Sequence, residues 1–207
     1  FHGFQDDRNE INFVHTELSR RLCEKEIGSV RFDFLGSGES DGCFEDITVS
    51  REVQNGLDIL GYVDALPFVD SSRIALHGLS LGGCVASMVA GLRKEKVKAL
   101  SLWCPALDLV YNMREKNLCG QDVSDIEEKG YADVEGLRLS LDFYKDCLGI
   151  DPYAIASQFA RKLKDMYGDR ADLLIVSGAE HRFTSVPYRK ARMESALRFL
   201  CNELKKG

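Results

Sequence analysis

The chain has 207 residues, 44% of them hydrophobic, enough to bury one sizeable core and to form one domain over 1–207. A net charge of −6 argues against a nucleic-acid or anionic-membrane partner, since both call for basic patches, and no apolar run approaches the roughly 20 residues of a spanning helix. Seven cysteines without a Cys-x-x-Cys pair fit a reduced, cytoplasmic protein better than a disulfide framework.

After Phe1-His2-Gly3-Phe4, the stretch from Ile11 to Glu26 carries apolar residues at helical spacing (Phe13, Val14, Leu18, Leu22), and Ser29 to Phe34 reads as a strand. Val49 to Leu66 repeats Val53, Leu57, Leu60 and Val63 on one helical face and is stopped by Pro67. A strand is predicted over 73–77, a helix over 81–93 and a strand over 97–104. Further on, a strand is predicted over 172–176 and a last helix from about Pro187, a residue suited to a first helical turn, to Leu204. This alternation predicts a mostly parallel sheet with helices on both faces. The stretch from Asp108 to about Leu148 interrupts it with many charges and scattered aromatics (Tyr111, Tyr131, Phe143, Tyr144), and reads as an insertion of about 108–150.

Gly78-Leu79-Ser80-Leu81-Gly82 lies between the strand at 73–77 and a helix of small residues, Cys84 to Ala90. A strand-to-helix turn of this kind holds a serine in a strained, exposed position, and the two glycines leave room where a Cβ would clash. Ser80 is the candidate nucleophile, and it requires a base that reaches it through space. Of four histidines, His181 follows the apolar run Leu173-Leu174-Ile175-Val176 and is the candidate base. His15 falls in a helical pattern, His77 precedes the serine turn as a structural residue, and His2 shapes the loop before Phe4.

With these pieces the chain resembles the α/β-hydrolases, and among them the small carboxylesterases that include bacterial feruloyl (cinnamoyl) esterases and acyl-peptidase-like hydrolases. The resemblance rests on His2-Gly3-Phe4, the run Arg31 to Gly42 (RFDFLGSGESDG), the serine turn, Trp103-Cys104-Pro105-Ala106-Leu107-Asp108 and Gly178-Ala179-Glu180-His181. It implies an α/β-hydrolase fold with a cap inserted after the strand ending at Cys104. It also implies Ser80 as nucleophile, His181 as base, and the backbone N–H groups of Phe4 and Leu81 as an oxyanion hole. The implied activity is hydrolysis of carboxylic esters, aryl or short-chain acyl esters such as feruloyl esters, through an acyl-serine intermediate. The expected partner is a small-molecule ester, and neither metal nor organic cofactor is needed.

Two parts of the family pattern have no counterpart in the sequence. Strands upstream of His2 are one; the other is a buried strand and a loop carrying the acid, which belong between Phe159 and Ala160. Segments are therefore expected to be omitted there, or strands to be exchanged with a second copy in a homodimer. The acid is left unassigned, with Asp108 the candidate because some hydrolases of this fold take their acid from that strand end. Acyl-peptidase or thioesterase chemistry is the alternative within the fold, and a non-catalytic binding protein that has lost its acid is the alternative outside it.

Overall fold

The computed structural model describes residues 1–118, 120–158, 181 and 185–205. The expected strand at 172–176 and the Phe159–Ala160 junction lie outside these residues. At the centre of the fold β1 (Ala75–Leu79) and β2 (Ala99–Trp103) pair in parallel, Ala75 opposite Ala99 and Leu79 opposite Trp103. On the other edge of β1 the Phe1 amino group donates to the His77 carbonyl (2.8 Å), and the Leu79 N–H donates to the Phe1 carbonyl (3.2 Å). The opening residues thus continue the ladder and carry His2-Gly3-Phe4 to the end of β1.

Alternation along the strands sends side chains to opposite faces. Leu76 joins a core beneath α2 (Val49–Asp64) and α3 (Ser80–Leu92), with Val49, Leu60, Val85 and Val89 buried in it. Leu79 and Trp103 face the other way, into a second cluster with Val14, Leu18 and Leu22 of α1 (Val14–Cys23) and Met193, Ala196 and Leu200 of a C-terminal helix, Val186–Lys205. Helices therefore cover both faces of the strand pair, as the sequence predicts.

The segment after β2 is built from small elements. These are α4 (Leu109–Arg114), β3 (Asn117–Leu118) paired with β4 (Gln121–Asp122), α5 (Ile126–Lys129), the hairpin of β5 (Tyr131–Val134) and β6 (Leu137–Ser140), and α6 (Leu141–Gly149). Its apolar residues Met113, Ile126, Leu139 and Phe143 are buried in the same core as α2 and α3. Next, α7 (152–158) lies so close to α3 that a Cβ on Gly91 would come within 2.1 Å of the Ile155 carbonyl oxygen; the helix Val186–Lys205 follows as α8.

Two expectations are corrected. Ser29 to Phe34 forms no strand among the described residues. Side chains take backbone donors a ladder would use: the Phe34 N–H goes to His2 Nε2 (3.1 Å), the following Leu35 N–H to Asn55 Oδ1 (3.0 Å). The first residues of this stretch, Ser29 and Val30, are exposed, while the rings of Phe32 and Phe34 pack on Phe1. The helix read from Ile11 starts as a 3-10 turn, Ile11–Phe13, and becomes α-helical only at Val14. Asn12 and Phe13 hold φ of 57° and 58°, left-handed values that no α-helix contains.

Candidate active site

Strand β1 ends at Leu79 and α3 begins at Ser80, so the chain reverses within one residue and Ser80 is forced to a φ of +53°. That conformation is costly for any residue with a side chain and persists only where the surroundings enforce it. They do so through the glycines. A Cβ on Gly78 would lie 2.3 Å from the Gly82 carbonyl oxygen, and one on Gly82 would lie 2.1 Å from that of His2. Ser80 is 7% exposed, which corrects the expectation of an exposed serine: the His2-Gly3 backbone crosses directly over the turn.

The Ser80 hydroxyl is 2.9 Å from Nε2 of His181. With the ring protonated on Nδ1, Nε2 accepts the serine proton, the geometry that general-base activation requires. His181 is itself exposed at the surface of the site. Leu81 is the second residue of α3, where an N–H has no acceptor within the helix, and no side chain caps this end. Phe4 follows Gly3, whose own Cβ position would be 3.4 Å from Ser80 Cβ. Of the residues expected to supply oxyanion donors, Leu81 thus adjoins the serine, and Phe4 lies one residue beyond Gly3, which packs against it. Asp108 is not brought to His181: it is exposed, precedes α4, and uses its carbonyl to accept the Asn112 N–H. Among the described residues no carboxylate hydrogen-bonds His181, and no cluster of metal-ligating side chains is present.

The remaining histidines are structural. His2 is buried, donates from Nδ1 to the Gly3 carbonyl (3.0 Å) and accepts the Phe34 N–H on Nε2, so its tautomer is fixed. Desolvation lowers its pKa and keeps it neutral. His77 packs edge-on to Trp103, and burial drives its pKa down to about 3. His15 is packed against both.

The loop behind the site holds residues the motifs did not single out. Arg8 donates its backbone N–H to Asp33 Oδ1 (2.7 Å) and its guanidinium to Asp33 Oδ2 (2.6 Å). Burial pushes the Asp33 carboxyl up, but N–H donors from Glu39 and Arg8, with the Arg8 charge, bring it below the usual range. Gln5 donates to the Val134 carbonyl (2.7 Å), and the Phe4 ring packs on Phe44 and Phe143, with centroids 5.3 and 5.9 Å away. These contacts tie the Phe4 loop to the β5–β6 hairpin and to α6. Glu10 accepts the Gly3 N–H from within the core. The dense charges of Gln5-Asp6-Asp7-Arg8-Asn9-Glu10, directly after His-Gly-Phe, are the sequence signal that marks this loop.

The family model described as the prolyl oligopeptidase family matches residues 22–207. Among curated proteins, the thiohydrolase apmlB of Arthrinium phaeospermum is 28% identical over 150 residues, covering 62% of this chain and 48% of that protein. The chain thus spans about half the length of that relative. Among solved structures, ferulic acid-bound Est1E from Butyrivibrio proteoclasticus superposes with a TM-score of 0.86 at 21% identity, covering 100% of this chain and 88% of that one. The mouse alpha/beta hydrolase domain-containing protein 10 gives a TM-score of 0.69 at 21% identity, covering 98% and 88%.

Proposed function

Since this chain belongs to the prolyl oligopeptidase family and is a hydrolase with the α/β-hydrolase fold, we propose that it is a serine esterase that cleaves carboxylic esters through an acyl-serine intermediate. One observation carries the reading: the Ser80 hydroxyl, held at a strained strand-to-helix turn, lies 2.9 Å from His181 Nε2.

In the proposed reaction His181 takes the Ser80 proton as Oγ attacks the ester carbonyl. The carbonyl oxygen becomes an oxyanion held by the N–H groups of Phe4 and Leu81. His181 then returns the proton to the departing alcohol, and water hydrolyses the acyl-serine by the same steps in reverse roles. No metal or organic cofactor enters these steps.

Residues of about 108–150 act as a cap in the one domain, because their hairpin and α6 are bonded and packed to the Phe4 loop. The superposition on a ferulic acid-bound protein supports hydroxycinnamoyl esters as substrates. The partner is then a small-molecule ester, not a nucleic acid or a membrane; no helix among the described residues is long and apolar enough to cross one. Free thiols at Cys23, Cys43, Cys84, Cys147 and Cys201 fit a reduced, cytoplasmic setting.

Similarity to a thiohydrolase favours thioesters as a second reading, because the serine and histidine do not distinguish the leaving group. The deciding experiment labels the protein with a fluorophosphonate and compares turnover of p-nitrophenyl acetate, a feruloyl ester and an acyl thioester. Labelling at Ser80 with faster cleavage of the oxygen esters supports the esterase, faster thioester cleavage supports the second reading, and no labelling overturns both.

A further inference from the structure

Glu10 is a carboxyl group that the proposed reaction leaves unused, although it sits behind the nucleophile. It is 4% exposed, and its Oε1 accepts the Gly3 N–H. A Cβ placed on Gly3 would lie 3.2 Å from Glu10 Oε1 and 3.4 Å from Ser80 Cβ, so one glycine separates the carboxyl from the serine. The backbone is bent to deliver it there: Glu10 has a φ of +62°, where a side chain is strained. The loop is wound tightly around that placement, with the Glu10 N–H on the Asp7 carbonyl (3.0 Å), the Phe13 N–H on the Glu10 carbonyl (2.9 Å) and the Ile11 N–H on Asp6 Oδ2 (3.2 Å).

Resting on the esterase reading above, we propose that Glu10 is a positioning residue for the oxyanion site: its carboxyl, by accepting the Gly3 N–H, fixes the Gly3 peptide and so aims the Phe4 N–H at the substrate oxygen. Accepting the N–H of Gly3 sets the plane of the Gly3 amide, and the Phe4 N–H lies one peptide further on. A side-chain hydrogen bond joins the Glu10 and Asp6 carboxyls, and two carboxyls so joined need one proton between them. Burial, then the Asp6 charge, raise the pKa of Glu10 above the usual carboxylate range. Among the described residues, the titratable group that faces it is Asp6 on its own loop. Loss of that proton puts a negative charge behind Ser80, where it repels the oxyanion as it forms.

The test compares Glu10→Ala, Glu10→Gln and the parent protein across pH. Glu10→Ala, which removes the acceptor, is expected to lower kcat by roughly tenfold to a hundredfold with little change in KM, a part of what a lost oxyanion donor costs. Glu10→Gln mimics the protonated acid, with an amide oxygen for Gly3 and an N–H for Asp6. It is expected to restore most of that kcat and to abolish the alkaline decline in rate that the parent shows. The infrared band of a protonated carboxyl at neutral pH, present in the parent-minus-Glu10→Gln difference spectrum, reads the proton independently of turnover. An unchanged alkaline limb in Glu10→Gln, or no such band, overturns the proposal. A parent that hydrolyses no ester overturns the esterase reading instead, and the band still decides whether Glu10 holds its proton. Should Glu10→Ala fail to fold, the pH profile of Glu10→Gln and the band decide alone.

Discussion

Ser80 Oγ and His181 Nε2 lie 2.9 Å apart although 101 positions separate them in the chain, and the serine meets the histidine only because its backbone is held at a φ of +53°. That conformation sets function against stability. Ser80→Ala is expected to abolish ester turnover and fluorophosphonate labelling with the fold intact. Ser80→Gly is expected to be equally inactive but more stable by about 1 kcal/mol, because glycine adopts positive φ without strain. Ester assays and thermal unfolding of the two variants check both; full turnover in pure Ser80→Ala overturns the assignment of the nucleophile.

The histidine carries its own expectation. His181→Ala removes the group that takes the serine proton, so kcat is expected to fall by about 10³-fold or more, leaving the slow reaction that the oxyanion donors alone sustain. Asp108 is exposed and turned into α4, so Asp108→Asn is expected to change kcat by no more than a few-fold. A drop in Asp108→Asn as large as that in His181→Ala would make it the acid.

The glycines of the turn differ in what they tolerate. Gly82→Ala drives a Cβ to 2.1 Å from the His2 carbonyl oxygen and 2.4 Å from that of Phe1, both backbone atoms that cannot step aside. It is expected to destabilise by roughly 3 kcal/mol or more and to remove activity. Gly83→Ala meets Pro105 only at 3.0 Å and beyond, so a slight shift accommodates it and much of the stability remains. Urea unfolding of the two variants measures the contrast, and equal midpoints would refute it.

The serine turn and its glycines were legible because local chemistry dictates them: only glycine fits where Gly78 and Gly82 stand, and a helix of small residues must follow so sharp a turn. Helices α2, α3 and α8 were legible from apolar spacing and from Pro67 and Pro187. What escaped is non-local. Ser29 to Phe34 has the composition of a strand, but His2 and Asn55, distant in sequence, claim backbone donors there. The left-handed residues Asn12 and Phe13 follow from the acidic loop wound around Glu10, and periodicity carries no trace of it. Glu10 carries no signal in the sequence of its burial under Gly3.

A second buried carboxylate has a consequence for stability. Glu52 of α2 is 4% exposed, its Oε2 has no hydrogen-bond partner, and desolvation raises its pKa from 4.5 to about 8. Nearby, burial likewise pushes the Cys84 thiol up to about 12, so both groups are uncharged in the core. A folded-state pKa above the unfolded value means that the folded protein holds the proton more tightly. The stability that Glu52 contributes is thus fully present below about pH 4.5 and is lost as pH rises towards 8. At about 1.4 kcal/mol per pH unit, the loss by pH 7 is on the order of 3 kcal/mol. Glu52→Gln cannot ionise. Its unfolding midpoint is expected to match the parent at pH 4, to exceed it increasingly between pH 5 and 8, and to run parallel with it above. Parallel curves from pH 4 upward would mean that Glu52 is ionised in the folded protein and that water or a partner reaches its carboxylate.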